Sequence, residues 1–100
     1  MRYFVCKLYG PRPSFPVDIT PEETALMQVH AKYWRAQMEE HKRVVVFGPV
    51  ADPAGAYGIL ILQLPEGEAP EPLLHDDPVI KANRGFRFDC APMIQAVLPT

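Results

Sequence analysis

The sequence contains few of the residues, and none of the short motifs, on which common catalytic and metal sites depend. Its two cysteines, Cys6 and Cys90, form no CxxC motif, and its three histidines show no HxxxH spacing, so no metal site is predicted. The single serine, Ser14, lies in a proline-rich segment, which disfavours a Ser-His-Asp hydrolase. Neither GxxxxGKS/T nor GxGxxG occurs, so no nucleotide-binding loop is expected. These absences predict a protein without metal or cofactor.

Charge of one sign and long apolar runs are also missing. The formal net charge is -2 at pH 7, and the basic residues are scattered among acidic ones, so no nucleic-acid-binding patch is predicted. No apolar run reaches the roughly 18 residues of a membrane span, and residues 1–10 reach glycine before a signal-peptide core could form. The expectation is a cytoplasmic protein that binds neither nucleic acid nor membrane and keeps two buried, reduced thiols.

The clearest local signal marks the start of a long helix. Thr20 can act as the N-cap, Pro21 suits the first helical position, and Glu23 completes a capping box. No glycine or proline follows Pro21 until Gly48, so a helix is predicted from Pro21 to about Glu40. At about 100° per residue, the apolar face of this helix contains Leu26, Met27, His30, Ala31, Trp34 and Met38.

Four other segments predict β-strands, and one predicts a short second helix. Each strand is rich in branched or aromatic residues and is bounded by residues that favour turns. Pro70 and Pro72 suit only the first turn of a helix, which limits the second helix to about Glu71–His75. The stretch GPVADPAGAYG is expected to form a turn-rich connection between the second and third strands. The predicted strands are residues 2–9, 43–47, 57–64 and 85–93.

The order of these elements, β-α-β-β-α-β, predicts a single α+β domain over residues 1–100. Such an order packs two helices on one face of a four-stranded antiparallel sheet, as in a ferredoxin-like fold. The first strand is apolar on both alternations, with Tyr3 and Val5 on one side and Phe4 and Cys6 on the other. Helices on one face would leave the second face bare, so we expect a homodimer formed through that sheet face.

His30 is the one titratable residue on the apolar helix face, and it admits two interpretations. It can be a core histidine whose ring bonds to a backbone carbonyl, or a proton-transfer residue with a carboxylate nearby. The candidate carboxylates are Glu23, Asp52, Asp76 and Asp77. Asp52 and Asp77 each precede a proline, so each can equally shape a turn.

Five motifs in succession carry a resemblance to a known family: TPEE, HAKYW, VVVFGPVADPAGAYGI, the Asp77-Pro78 pair and GFRF. Together they make nearly the whole chain similar to the YCII (YciI-like) family. The resemblance implies a ferredoxin-like subunit in a dimeric α/β barrel assembly, with a histidine and an aspartate at the active site. His30 and Asp77 match that pair, and Gly48 and Pro49 match the family's GP after the second strand. The chain departs from the family pattern in the two prolines and the extra histidine of APEPLLHD.

The resulting hypothesis is general acid-base catalysis by His30 and Asp77 on a small cyclic or aromatic substrate, in lyase, isomerase or dehydrochlorinase-like chemistry. His30 would move the proton, and Asp77 would orient its ring and stabilise the imidazolium. The alternatives are a non-catalytic dimer that binds a small metabolite, and an interaction subunit in which His30 is structural. The residues predicted to bind the substrate are Trp34, Gly48, Pro49, Arg84 and Phe86, with Tyr3 and Arg12 as further candidates.

Overall fold

A four-stranded antiparallel sheet with helices on one face forms the fold. The computed structural model describes all 100 residues. Its elements are, in chain order, β1 Arg2–Tyr9, α1 Pro21–Glu39, β2 Val44–Val50, β3 Tyr57–Leu64, α2 Glu71–His75, α3 Pro78–Lys81 and β4 Arg87–Pro92. The strand order in the sheet is β2-β3-β1-β4, and every neighbouring pair is antiparallel. The predicted α+β class is confirmed, and the sheet is compatible with a ferredoxin-like fold.

Helix α1 begins where the capping signal places it. The Thr20 hydroxyl accepts a hydrogen bond from the Glu23 backbone N–H at 3.1 Å, and the Glu23 carboxylate accepts one from the Thr20 N–H at 2.9 Å. Pro21 occupies the first helical position and Glu39 the last, so the predicted helix is confirmed. None of the chain's helices combines the length and the apolar character that a membrane crossing requires.

Strand β2 continues beyond its predicted end. The sequence predicts a strand that stops at Phe47 before a turn at Gly48, but the strand runs through Gly48 and Pro49 to Val50. β2 lies at an edge of the sheet, where a proline is tolerated better than in a central strand. Gly48 and Pro49 are therefore held on a strand, paired with β3.

The connection between β3 and β4 contains two short helices. Helix α2, Glu71–His75, matches its prediction, whereas α3 was not predicted from the sequence. Pro78 occupies the first position of α3 and Asp77 is its N-cap, so the Asp-Pro pair starts a helix where only a turn was expected. Strand β4, Arg87–Pro92, is shorter than the predicted 85–93 segment. Its later start follows from Gly85, whose φ of 90° lies outside the range of a β-strand.

The core lies between the sheet and the helices. In β1, Phe4, Cys6 and Leu8 are buried and alternate with residues that point to the opposite face. Burial of a large apolar side chain contributes about 1.5–3 kcal/mol, so this layer is the main source of stability. Cys6 is buried as predicted, but Cys90 is exposed, because it lies on the edge strand β4. The other buried apolar residues are Trp34, Val44, Leu60, Leu62, Leu64, Leu74, Val79 and Phe86.

The opposite face of the sheet carries a second apolar layer without a covering helix. Val5 pairs with Ile61 and Lys7 with Ile59 in the register of β1 and β3, and side chains that lie opposite each other share a face. Val46 of β2 also pairs with Ile61 and is 51% exposed. We call this surface, formed by Val5, Lys7, Val46, Ile59 and Ile61, the open face.

Candidate active site

An imidazole on one helix contacts a carboxylate at the start of another, on the face of the sheet that carries the helices. His30 lies on α1, and Asp77 lies at the junction of α2 and α3. His30 Nδ1 is 2.6 Å from Asp77 Oδ2. With Asp77 as a carboxylate, which can only accept hydrogen bonds, Nδ1 of His30 is the donor in this pair. In the neutral ring, Nε2 then keeps its lone pair free to accept a proton.

Asp77 is fully buried, and both of its oxygens are used. Oδ2 also accepts a hydrogen bond from the Trp34 indole N–H at 2.7 Å, and Oδ1 accepts one from the Val79 backbone N–H at 2.9 Å. A buried carboxylate needs such donors to offset the loss of water. Asp77 therefore serves as a helix cap and as the partner of His30 at once. By contrast, Asp52 only shapes a turn, in which its Oδ1 accepts from the Ala54 N–H at 2.9 Å.

Trp34 and its neighbour Tyr33 fix the position of α1 against α2 and α3. The Tyr33 hydroxyl donates to the Leu73 carbonyl at 2.7 Å, and its ring packs edge-on against Trp34, with centroids 4.9 Å apart. Burial and the carboxylates of Asp76 and Asp77 raise the pKa of Tyr33 to about 12. Tyr33 therefore stays protonated at neutral pH and keeps its bond to Leu73.

His30 lines an apolar cavity of about 320 Å³. Only His30, Trp34 and Tyr57 contribute side-chain nitrogen or oxygen atoms to its walls, and the Trp34 N–H is already bonded to Asp77. The His30 side chain is 17% exposed. Since Nδ1 is bonded to Asp77, Nε2 is the ring nitrogen available to a molecule in the cavity.

Four of the five predicted substrate-binding residues line this cavity. Trp34, Gly48, Pro49 and Phe86 lie in its walls. Arg84 does not, because its guanidinium lies on the surface, where Nη1 is 3.2 Å from Glu22 Oε2. The two further candidates also lie elsewhere: Tyr3 points to the face of the sheet opposite the helices, and Arg12 pairs with acidic residues outside the cavity.

The segment between β1 and α1, residues 10–19, supplies a cavity wall that the sequence did not predict. Phe15, Pro16 and Ile19 all line the cavity. The Phe15 ring packs edge-on against Phe86, with centroids 5.2 Å apart, and it lies so close to Gly10 that a Cβ there would overlap it. Gly10 and Pro16 of this segment thus help to shape the site.

Arg12 fastens this wall segment to α1. Its Nη1 and Nη2 atoms each lie 2.7 Å from a Glu23 carboxylate oxygen, and its Nε is 3.0 Å from Asp18 Oδ2. Bonding to Arg12, with further help from the Thr20 backbone N–H, lowers the pKa of Glu23 to about 2. Bonding to Arg12, and then to Ser14, likewise lowers the pKa of Asp18. Glu23 therefore holds Arg12 against α1, and Asp18 holds it within the wall segment itself.

Fold and site together define a class: a small α+β protein with a His-Asp pair, of which the aspartate is buried, beside an apolar cavity. No three His, Cys, Asp or Glu side chains converge in the chain as metal ligands would. No protein-family profile matches the chain, and no curated protein is significantly similar to it. The similarity to the YCII family therefore stays a prediction made from the motifs.

Proposed function

We propose that the protein is a small-molecule enzyme in which His30 and Asp77 carry out general acid-base catalysis on a small cyclic or aromatic substrate. The observation that carries the proposal is the 2.6 Å contact between His30 Nδ1 and Asp77 Oδ2 beside an apolar cavity. A buried carboxylate behind an imidazole is the arrangement that holds a histidine ready to accept a proton. The resemblance to the YCII family supports the same pair.

In the proposed reaction, Nε2 of neutral His30 removes a proton from a ring carbon next to a carbonyl or phenol group. The imidazolium that forms is stabilised by the negative charge of Asp77. In an isomerase, His30 returns the proton to another atom of the ring. In a dehydrochlorinase, the C–H electrons form the new double bond as chloride leaves, and His30 later releases the proton to water. The apolar walls limit competition by water.

The lining of the cavity favours an apolar ring as the substrate. A volume of about 320 Å³ lies near the lower end of the range of about 300–1,000 Å³ for ligand pockets, which suits one ring with few substituents. Phe15, Phe86 and Phe88 offer aromatic surfaces for such a ring. No lysine or arginine lines the cavity, so a strongly anionic substrate would lose water without gaining a cation.

The test follows proton transfer, because this can be observed on probe compounds. Cyclic ketones and chlorinated hydroxyquinols are incubated with the protein in heavy water, and deuterium incorporation and chloride release are measured. Activity is expected for the native chain, with a loss of about 100-fold or more in His30→Gln, since general acid-base groups contribute about 10²–10⁴-fold. His75→Gln is the matched control, because His75 is exposed, and it should keep full activity.

Nitrogen NMR of the His30 ring provides a second readout that needs no substrate. The neutral ring is expected to carry its proton on Nδ1 in the native chain. Asp77→Asn leaves one acceptor oxygen and adds an N–H₂ donor. A fraction of the neutral His30 rings should then carry the proton on Nε2 instead of Nδ1, and activity should fall by a matching amount. A native ring protonated on Nε2, or unchanged activity in His30→Gln, would overturn the proposal.

A non-catalytic module that binds a small metabolite is the second candidate, and the apolar character of the cavity favours it. Nearly all of the walls are hydrocarbon, and such a cavity can hold a ring by burial alone. This candidate predicts that a bound ring compound is recovered unchanged and that His30→Gln binds it with little loss. Enzymatic turnover by the native chain would exclude it.

We also propose a homodimer formed through the open face, as in dimeric α/β barrel proteins. Support comes from Val5, Ile59 and Ile61, which form an apolar centre on a sheet face without a helix. Apolar patches of this kind mark interaction sites. Sedimentation is expected to give a dimer for the native chain and a monomer for Val5→Lys together with Ile61→Lys. A monomeric native chain at micromolar concentration would contradict this assembly.

A further inference from the structure

The two cysteines lie opposite each other on neighbouring strands, although 84 residues separate them in the chain. In the antiparallel register of β1 and β4, Cys6 pairs directly with Cys90. Their side chains therefore share one face of the sheet, the face that carries the helices. The two Sγ atoms are 2.7 Å apart. Neither thiol belongs to the His30 site.

The backbone at this position suits a covalent link. Residues directly opposite in an antiparallel pair have Cα atoms about 4.5–5.5 Å apart, and disulfides span Cα separations of about 4.4–6.8 Å. A bond between Cys6 and Cys90 therefore requires only a small approach of the sulfur atoms. The strands themselves can stay in their register.

The two thiols differ in their access to solvent and in their acidity. Cys6 is buried and Cys90 is exposed. The hydrogen bond from Cys6 lowers the pKa of Cys90, whereas the bond to Cys90, and then burial, raise the pKa of Cys6. Because the thiolate is the reactive form, Cys90 is the sulfur that meets a reagent from solution. Cys6 is placed behind it.

We propose that Cys6 and Cys90 form a thiol-disulfide exchange site that reacts with low-molecular-weight disulfides. In the first step, the Cys90 thiolate attacks one sulfur of the small disulfide, which forms a mixed disulfide and releases one small thiolate. In the second step, Cys6 loses its proton and attacks the Cys90 sulfur, which releases the second small thiol. The two protein sulfurs are oxidised by two electrons, and the small disulfide is reduced to two thiols.

The product links the edge strand β4 to the central strand β1. Strand β4 carries Phe88, which lines the cavity, and β1 carries Leu8 on the same side. The link also closes a loop that contains most of the chain, which restricts the unfolded state. The oxidised protein should therefore unfold at a urea concentration higher by about 1 M or more. Both thiols lie on the side away from the open face, so dimerisation through that face leaves Cys90 accessible.

The experiment uses the native chain in buffers of increasing ratio of oxidised to reduced glutathione. Free thiols are alkylated after quenching, and the intact mass is measured. The expected oxidised product has lost two hydrogen atoms, carries no alkyl label and returns to the labelled form after dithiothreitol. A chain that keeps both thiols, that stops at a glutathione adduct, or that forms covalent dimers would overturn the proposal.

Two single variants test the order of the steps. In Cys6→Ala, the mixed disulfide has no second thiol to resolve it, so a glutathione adduct on Cys90 should accumulate. In Cys90→Ala, the buried Cys6 should stay reduced under the same conditions. Adduct formation at Cys6 as fast as at Cys90 would contradict the assigned roles. Circular dichroism of both variants checks that each is folded, and the native chain tests the link itself without any substitution.

Discussion

Two carboxylates at helix starts, Asp77 and Glu23, form similar bonds in different surroundings. Asp77 caps α3 and bonds to His30, while Glu23 closes the capping box of α1 and bonds to Arg12. The Asp77 side chain is fully buried, whereas that of Glu23 is 12% exposed and that of its partner Arg12 is 31% exposed. Water can replace a lost bond at Arg12 but not at Asp77. A carboxylate that caps a helix and bonds to a basic side chain thus forms the candidate active site at Asp77. At Glu23 it holds residues 10–19 against α1.

The largest effect is expected for Asp77→Ala, which leaves three donors without an acceptor: the ring of His30, the indole of Trp34 and the backbone of Val79. We expect the free energy of unfolding to fall by about 3–5 kcal/mol, because each buried donor left without an acceptor costs about 1–3 kcal/mol and only the partly exposed His30 ring can reach water instead. Urea denaturation followed by tryptophan fluorescence measures this loss.

Asp52→Ala is the matched control for that substitution. Asp52 also precedes a proline and also accepts from the backbone N–H two residues later, but it is exposed. Asp52→Ala should lower the free energy of unfolding by less than about 1 kcal/mol, as expected for one solvated hydrogen bond. Similar losses in the two variants would mean that Asp77 acts only as a turn residue and would remove the contrast between the buried and the exposed carboxylate.

A smaller effect is expected for Trp34→Phe, which removes the indole N–H from Asp77 and keeps an aromatic ring. The lost hydrogen bond to a charged group accounts for about 1.5–3 kcal/mol, and the smaller ring adds a packing loss at this fully buried position. Urea denaturation followed by circular dichroism measures the sum. Tyr33→Phe is the companion variant, because the Tyr33 hydroxyl donates to the uncharged carbonyl of Leu73. Its loss should be about 0.5–1.5 kcal/mol. A larger loss of unfolding free energy in Tyr33→Phe than in Trp34→Phe would show that the hydrogen bond to the buried carboxylate is not the stronger of the two.

The features that depend on local sequence could be predicted, and they include parts of both sites. The capping box of Thr20 and Glu23 depends on residues three positions apart, so the start of α1 follows from local chemistry alone. The placement of His30 on the apolar face of α1 follows from helical periodicity in the same way. Local sequence did not identify the carboxylate that pairs with His30. Four carboxylates were candidates, and only the family resemblance indicated Asp77.

The features that could not be predicted depend on contacts between distant parts of the chain. The Trp34 indole bonds to Asp77 across 43 residues, and Cys6 meets Cys90 across 84. Spacing carries no information about such pairs until the strand order is known. Cys90 was expected to be buried because cysteines usually are, but an edge strand exposes it. Arg84 was placed in the site by residue type alone, and the structure puts it on the surface with Glu22.

The smallest effect concerns pH and tests the two carboxylates that bond to Arg12, Glu23 and Asp18. The folded pKa of Glu23, about 2, lies below its ordinary value of 4.5, and that of Asp18 is also lowered, from 3.8. The folded chain therefore binds fewer protons than the unfolded chain in this range, so these two groups stabilise the fold above about pH 4.5. That contribution should be lost progressively as the pH falls from about 4.5 towards 2.

Arg12→Gln should remove most of this acid-dependent loss, because the Arg12 guanidinium is the first cause of both lowered pKa values. The pH dependence of stability is measured by thermal unfolding between pH 2 and 7. Arg35→Gln, at an exposed arginine, is the control. High salt should flatten the native profile towards that of Arg12→Gln, since exposed charges are screened, yet leave the loss in Asp77→Ala unchanged. Equal salt sensitivity of the two losses would contradict the contrast between the buried Asp77 and the ion pairs of the more accessible Arg12.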